Sequence, residues 1–382
     1  MQGIAVNALG HCHPAVVEAI CAQTKRLING SFNMANFEPT LTLAKKLSEI
    51  APGELGCTFF SNSGAEANDG AMKLAKAYTK RPSIIAFKGS FHGRTIGAIS
   101  VTASNAKYRK YYEPHMGGVY FAPFPSRDIC PKGLDEEQRS EYCLNEVKSL
   151  FSYVAAPETV AAILVEPVQG EGGYVVPPKS FLKGLRALCD QYGILLIFDE
   201  VQSGYGRTGK MFAGENFDVV PDIMTLGKAM AGGLPMSAIV STPAIMDEWH
   251  AGMHGTTFGG NPVAAASALA VLDQFEKLNL LENVNTVGGY MKGRLLELQK
   301  KYPFMYDVRG LGLMLAVEYA HADGTPAPEI WATCRKACLD AGMMTLNCGV
   351  NGNGQRFATP LNITLEEADK VLEIFETGLK AV

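Results

Sequence analysis

Asp199 closes a run of bulky apolar residues, Ile194-Leu195-Leu196-Ile197-Phe198-Asp199-Glu200, and Lys228 follows within Thr225-Leu226-Gly227-Lys228-Ala229. A carboxylate in such a place can hold a positive charge on a ring nitrogen. A lysine flanked by small residues can be presented beside it as an amine. A Schiff-base lysine and an acidic partner for a pyridinium nitrogen are the two groups that pyridoxal phosphate requires. Each residue alone also has an ordinary explanation: a helix cap or loop acid for Asp199, a surface ammonium for Lys228.

Other stretches carry polar groups beside glycine or proline. Ser63-Gly64-Ala65 stands at a strand-to-helix turn, where free amides and the positive end of the helix dipole suit a phosphate, and where simple N-capping is equally at home. Glu166-Pro167-Val168-Gln169-Gly170-Glu171-Gly172-Gly173 sets two carboxylates on a glycine-rich turn after an apolar run. Phe91-His92-Gly93-Arg94-Thr95 offers a ring for stacking and a guanidinium. Gln355-Arg356-Phe357 opens a late apolar stretch with an arginine, whose fork suits a carboxylate held bidentately or a structural ion pair. Gly204-Tyr205-Gly206-Arg207-Thr208-Gly209 spells the dinucleotide pattern, but no long apolar helix follows, and it reads better as a loop over the site. No phosphate-loop Gly-Lys-Ser/Thr motif occurs, which disfavours a nucleotide hydrolase.

The elements that must position these groups alternate along the chain in an α/β rhythm. Five bulky apolar residues before Asp199 suit a strand covered on both faces, as in a parallel sheet, and ligands bind beyond the carboxyl ends of such strands. Thr58–Phe60, Ile84–Phe87, Ala161–Val165, Ile223–Leu226 and Ala238–Ser241 read as further strands. Ala65–Tyr78, Lys179–Tyr192, Val263–Phe275 and a segment around Met291–Lys301 read as helices. Residues 111–130 read as a structured loop, and residues 132–153 as a peripheral helix.

Composition narrows the class. The 382 residues are 47% hydrophobic and 19% charged, with a net charge of −4, which gives no basic face for nucleic acid. No run approaches the ~18 apolar residues of a membrane helix. The first residues lack a secretory signature, so a soluble, cytoplasmic chain is expected. Nine cysteines without a paired framework read as reduced thiols. His11-Cys12-His13 reads as no metal site, because adjacent side chains diverge.

Together these stretches resemble the class III aminotransferases, from Gly3 almost to the C-terminus and in family order. The resemblance rests on Gly10-His11-Cys12-His13-Pro14, Ser61-Asn62-Ser63-Gly64-Ala65-Glu66-Ala67, Phe91-His92-Gly93-Arg94-Thr95 and Glu166-Pro167-Val168-Gln169-Gly170-Glu171-Gly172. Phe198-Asp199-Glu200-Val201-Gln202, Gly227-Lys228 and Thr257-Phe258-Gly259-Gly260-Asn261-Pro262 complete it. It implies an α/β architecture of the PLP-dependent transferase fold type I: a large domain with a mainly parallel sheet flanked by helices, plus a smaller C-terminal α/β domain. Residues 1–20 would be an N-terminal segment, 21–262 the cofactor-binding domain and 263–382 the small domain. The resemblance also implies a family segment ahead of Met1 that this sequence lacks.

The family pattern assigns roles to residues. Lys228 and Asp199 would be catalytic, as Schiff-base lysine and partner of the ring nitrogen. Gln202 would contact the ring hydroxyl, Phe91 would stack with His92 beside it, and Glu166 would stand in the cofactor site. Ser63, Gly64 and Ala65 would hold the phosphate. Thr257 would complete the neighbouring subunit's phosphate site, implying a homodimer or a dimer of dimers. Arg356 would take a substrate carboxylate, paired with Glu171 when not engaged, and Arg94 would be a second carboxylate site. Ile4 would line the pocket where ornithine enzymes place a tyrosine. The implied reaction is ping-pong transfer of an amino group from an ω-amino acid, foremost 4-aminobutyrate, to 2-oxoglutarate, giving succinate semialdehyde and glutamate. Acetylornithine aminotransferase and amino-acid racemase are the alternatives, and no metal is implied.

Overall fold

The computed structural model describes residues 2–382. Seven strands form the first sheet: β1 (Cys57–Ser61), β2 (Ser83–Phe87), β3 (Val119–Ala122), β4 (Val160–Val165), β5 (Leu195–Asp199), β6 (Ile223–Leu226) and β7 (Ser237–Ser241). Their order is β1-β7-β6-β5-β4-β2-β3. The run β3-β2-β4-β5-β6 is parallel, and β7 alone runs against its neighbours β6 and β1. Every residue of β2, β4, β5, β6 and β7 is buried, which is why these strands carry continuous rather than alternating apolar runs.

Helices cover both faces. Lys179–Tyr192 buries Phe181, Leu182, Leu185, Leu188 and Cys189 along one stripe and ends at Gly193, whose φ of 62° admits the left-handed cap. Glu136–Tyr153 begins at a capping box formed by Asp135 and Gln138. Gly64–Thr79 packs Ala67, Ala71, Leu74 and Ala75 against the sheet.

A second sheet, β8 (Met305–Leu311), β9 (Met314–Tyr319), β10 (Leu346–Cys348) and β11 (Gly354–Phe357), is antiparallel in the order β10-β11-β9-β8. The helices Leu280–Lys301, Pro328–Asp340 and Leu365–Lys380 back it. One buried cluster is continuous from Phe60 and Leu226 of the first sheet to Val317, Tyr319 and Phe375 of the second layer. The helix Pro262–Lys277 packs on Pro14–Thr24, Glu38–Ile50 and the turn at Lys228, so it lies under the first sheet while leading to the second.

Three local expectations change. Residues 111–130 contain the edge strand β3, paired in parallel with β2; a four-residue strand between Gly118 and Pro123 leaves too short a pattern to read. The helix read around Met291–Lys301 starts at Leu280, well ahead of Met291, its early turns carrying Asn283, Asn285 and two glycines that hide the apolar stripe. The loop Gly204–Gly209 does not cover the site. Tyr205 and Arg207 are fully buried between the two layers, where Arg207 Nη1 donates to the carbonyls of Leu313 (3.3 Å) and Thr359 (2.6 Å).

Candidate active site

The register of β5 against β6 sets Asp199 opposite Thr225, so Lys228 emerges just beyond the same edge of the sheet. Lys228 has φ of 42°, a left-handed backbone that a lysine adopts only where its surroundings impose it. A cavity of 170 Å³ opens there, lined among others by Gly64, Ala65, Phe91, Asp199, Gln202 and Lys228. His92 and Glu166 reach it as well. It is not the largest cavity; a cleft of 620 Å³ lies elsewhere, between the loop of residues 127–134 and the second sheet.

Side chains alternate along a strand, and the two acids at the end of β5 divide accordingly. Glu200 turns away: its carboxylate accepts the amides of Ala213 and Gly214, both at 2.8 Å, and the hydroxyl of Ser203. Asp199 faces the cavity. Its Oδ2 accepts from Asn68 Nδ2 and lies against His92 Nδ1, both at 2.8 Å, while Oδ1 accepts the Val201 amide at 3.0 Å. Burial raises the Asp199 carboxyl, but His92, the Val201 amide and the charge of Lys228 outweigh it and hold it below the usual range. Burial also lowers the Lys228 amine, opposed by Asp199, Glu171 and Glu166 and reinforced by Arg356. The site therefore keeps its central carboxylate charged and makes its lysine easier to deprotonate.

Around this pair the donors converge. The helix Gly64–Thr79 starts at the cavity with Ser63 as N-cap, its Oγ accepting from the Glu66 amide at 3.2 Å. A side chain at Gly64 would place Cβ 2.7 Å from Val201 Cγ1, so only glycine lets the helix end approach this closely. Glu166 accepts the amides of Phe91 and Gly170, each at 2.9 Å, and burial raises its carboxyl to about 7. Gln202 Oε1 accepts from Tyr174 at 3.0 Å. The buried His92 Nε2 has no partner among the described residues.

The second sheet contributes Arg356 from β11, closed on Glu171 by two bonds, Nη1–Oε1 at 2.6 Å and Nη2–Oε2 at 3.2 Å. Arg94 is exposed, with its guanidinium 4.6 Å from the Tyr108 ring centre and 5.7 Å from that of Phe91; it has no acidic partner among the described residues. Of the expected residues, Ser63, Arg94, Glu171, Arg356, Thr257 and Ile4 do not line the cavity itself. Thr257 is exposed on the loop before Asn261. Ile4 lines a separate apolar groove with Leu339, Met344 and Leu346, so the structure does not bring it to the pocket where the sequence placed it.

Sequence reasoning missed Asn68, which donates to Asp199 and to the His92 carbonyl (2.8 Å) and accepts from Thr225 Oγ1 at 2.9 Å. The signal was available: Asn68 is a polar residue next to Ala67 on the helix stripe that Ala71 and Ala75 bury. Tyr174 was missed as well, and nothing local marks it.

The residues present fit pyridoxal phosphate. Gly64 and Ala65 at a helix start are the donors a phosphate needs, Asp199 is an ionised acceptor, and Lys228 is a buried amine on the same cavity. The family model described as Aminotransferase class-III matches residues 1–379. A probable 4-aminobutyrate aminotransferase of Bacillus subtilis (strain 168) is 39% identical over 376 residues, 98% of this chain and 86% of that one. An acetylornithine aminotransferase of Caldanaerobacter subterraneus subsp. tengcongensis is 42% identical over 388 residues, 100% of this chain and 90% of the relative. Among solved structures, an amine transaminase from an uncultivated Pseudomonas species in its PLP-bound (internal aldimine) form matches with a TM-score of 0.93. It is 29% identical, with 99% of this chain and 89% of that one covered. With the fold, the cavity and the whole-length match in agreement, the chain belongs to the class III aminotransferases, enzymes that depend on pyridoxal phosphate.

Proposed function

We propose that this aminotransferase takes its amino group from an ω-amino acid, 4-aminobutyrate foremost, and passes it to 2-oxoglutarate in a ping-pong cycle. Succinate semialdehyde and glutamate would be the products. The observation that carries the donor class is the state of the two arginines. Arg356 is closed by a bidentate pair with Glu171, whereas Arg94 is exposed and has no acidic partner among the described residues. A donor whose carboxylate is remote from its amine needs the outer guanidinium and tolerates the closed pair. A 2-oxo acid carries its carboxylate beside the reacting carbon and needs Arg356 open, so Glu171 must withdraw in the second half of the cycle.

When bound, pyridoxal phosphate supplies the electron sink that lets an amine and a carbonyl exchange nitrogen. The protein supplies the rest. Lys228 Nζ, made less basic by burial, takes the proton from the substrate carbon and returns it one position away. Asp199, held ionised by Asn68, His92 and the Val201 amide, keeps a proton on the ring nitrogen. Gly64 and Ala65 with Ser63 would hold the phosphate, Phe91 would stack with His92 beside it, Gln202 would contact the ring hydroxyl with Glu166 in the same site, and Thr257 would serve the neighbouring subunit of a homodimer.

The test is a half-reaction on cofactor-loaded protein without any oxo acid. Loss of the cofactor's visible absorbance is followed as 4-aminobutyrate, N-acetylornithine, ornithine or alanine is added separately. A fast response to 4-aminobutyrate is expected. A response to N-acetylornithine alone would replace the donor, and interconversion of alanine enantiomers without oxo acid would replace the reaction.

A further inference from the structure

Outside the active site, the cleft of 620 Å³ between the loop of residues 127–134 and the second sheet is lined by Arg127, Asp128, Cys130, Arg139 and Glu318 among others. Cys130 Sγ lies 3.5 Å from Cys143 Sγ, the latter on the buried face of the helix Glu136–Tyr153. Neither cysteine serves the proposed reaction. We propose that Cys130 and Cys143 form an oxidisable dithiol site that a hydroperoxide entering this cleft converts to a disulfide.

Three observations carry the assignment. The sulfurs are in contact on two different elements, a loop and a helix, so a modest approach of the loop reaches bonding distance without bending a helix. Cys130 lines the cleft, which gives a small oxidant a route to an otherwise buried sulfur. Arg139 stands beside the pair with a buried Nε that has no partner among the described residues, a cationic setting that favours thiolate. Cys130 lines the cleft, whereas Cys143 is fully buried behind it, so Cys130 is the attacking sulfur and Cys143 the resolving one. The other close pair, Cys334 and Cys338 at 4.0 Å, sits within one helix, under Gly378, and lines none of the described cavities.

The chemistry balances. The Cys130 thiolate attacks one peroxide oxygen, the O–O bond breaks, and hydroxide leaves and is protonated to water, giving a sulfenic acid. Cys143 sulfur then attacks Cys130 sulfur, the S–O bond breaks, and a second water carries off the Cys143 proton. Two thiols lose two electrons in all, and the peroxide gains them.

The experiment treats the holoenzyme, carrying Cys12→Ser and Cys21→Ser to remove the exposed thiols, with equimolar hydrogen peroxide, then alkylates and maps its peptides. A Cys130–Cys143 cross-linked peptide, reversed by dithiothreitol and formed with the cofactor's absorbance unchanged, is expected. In Cys143→Ser, Cys130 should stop at a sulfenic acid that dimedone traps. Two thiols that stay alkylatable, or a Cys130 that runs on to sulfinic acid with Cys143 still free, would overturn the proposal.

Discussion

Lys228 and Asp199 depend on each other through the field of one small cavity. The lysine's proton is made mobile by burial, and the carboxylate's charge is retained by three hydrogen-bond contacts. Replacing Lys228 by Ala should therefore reduce kcat by roughly 10²–10⁴-fold while the fold persists, as removal of a general base does. Steady-state turnover of the purified variant measures this, and full activity would sink the assignment. Glu171 is open to a subtler change. Glu171→Gln weakens the pair that closes Arg356, so α-amino acids and 2-oxo acids should gain in kcat/KM relative to ω-amines. An unchanged ratio between glutamate and 4-aminobutyrate would show that Glu171 does not gate Arg356.

Among the elements, the end of β5 shows how a strand distributes two neighbouring acids. Asp199 enters the cavity, and Glu200 fastens the loop at Ala213 and Gly214. Burial raises Glu200 from an ordinary 4.5 to about 7. The folded chain then binds this proton more tightly than the unfolded chain, so the associated stability is present below the ordinary range and is lost as pH rises through about 7. Glu166, raised to about 7 likewise, adds in the same direction. Thermal denaturation across that window should show a falling Tm in the native protein and a shallower fall in Glu200→Gln, which cannot titrate. Glu200→Gln should also cost about 1–3 kcal/mol, because its amide can accept only one of the two backbone bonds. Equal slopes in the two proteins would reject this account of Glu200.

For the whole molecule, the two sheets share one buried cluster, and the site is assembled across them: Lys228 and Asp199 from the first, Arg356 from the second. Thr257 is exposed on the loop before Asn261, and its proposed service to a neighbouring subunit is open to a direct test. Mixing Lys228→Ala protein with Thr257→Ala protein discriminates the arrangements. If Thr257 acts across a two-fold interface, each mixed dimer regains one site with both residues intact, and activity should rise above that of either parent. No recovery after subunit exchange, or a monomer by light scattering, would refute the shared site.

By itself the sequence determined the strands whose burial on both faces forces continuous apolar runs, the helix starts with caps, and the acid and lysine placed at strand ends. Those signals are local, because burial and capping act within a few residues. Ordered motifs along the whole chain also carried the family and its cofactor. Only the tertiary structure decided that Glu200 turns away to fasten a loop, that Asn68 braces Asp199, and that the Gly204–Gly209 loop is buried between layers. It also took Ile4 away from the pocket and revealed β3 inside an irregular segment. Each of these depends on strand register or on contacts between residues far apart in the chain, and spacing along the sequence carries no record of them.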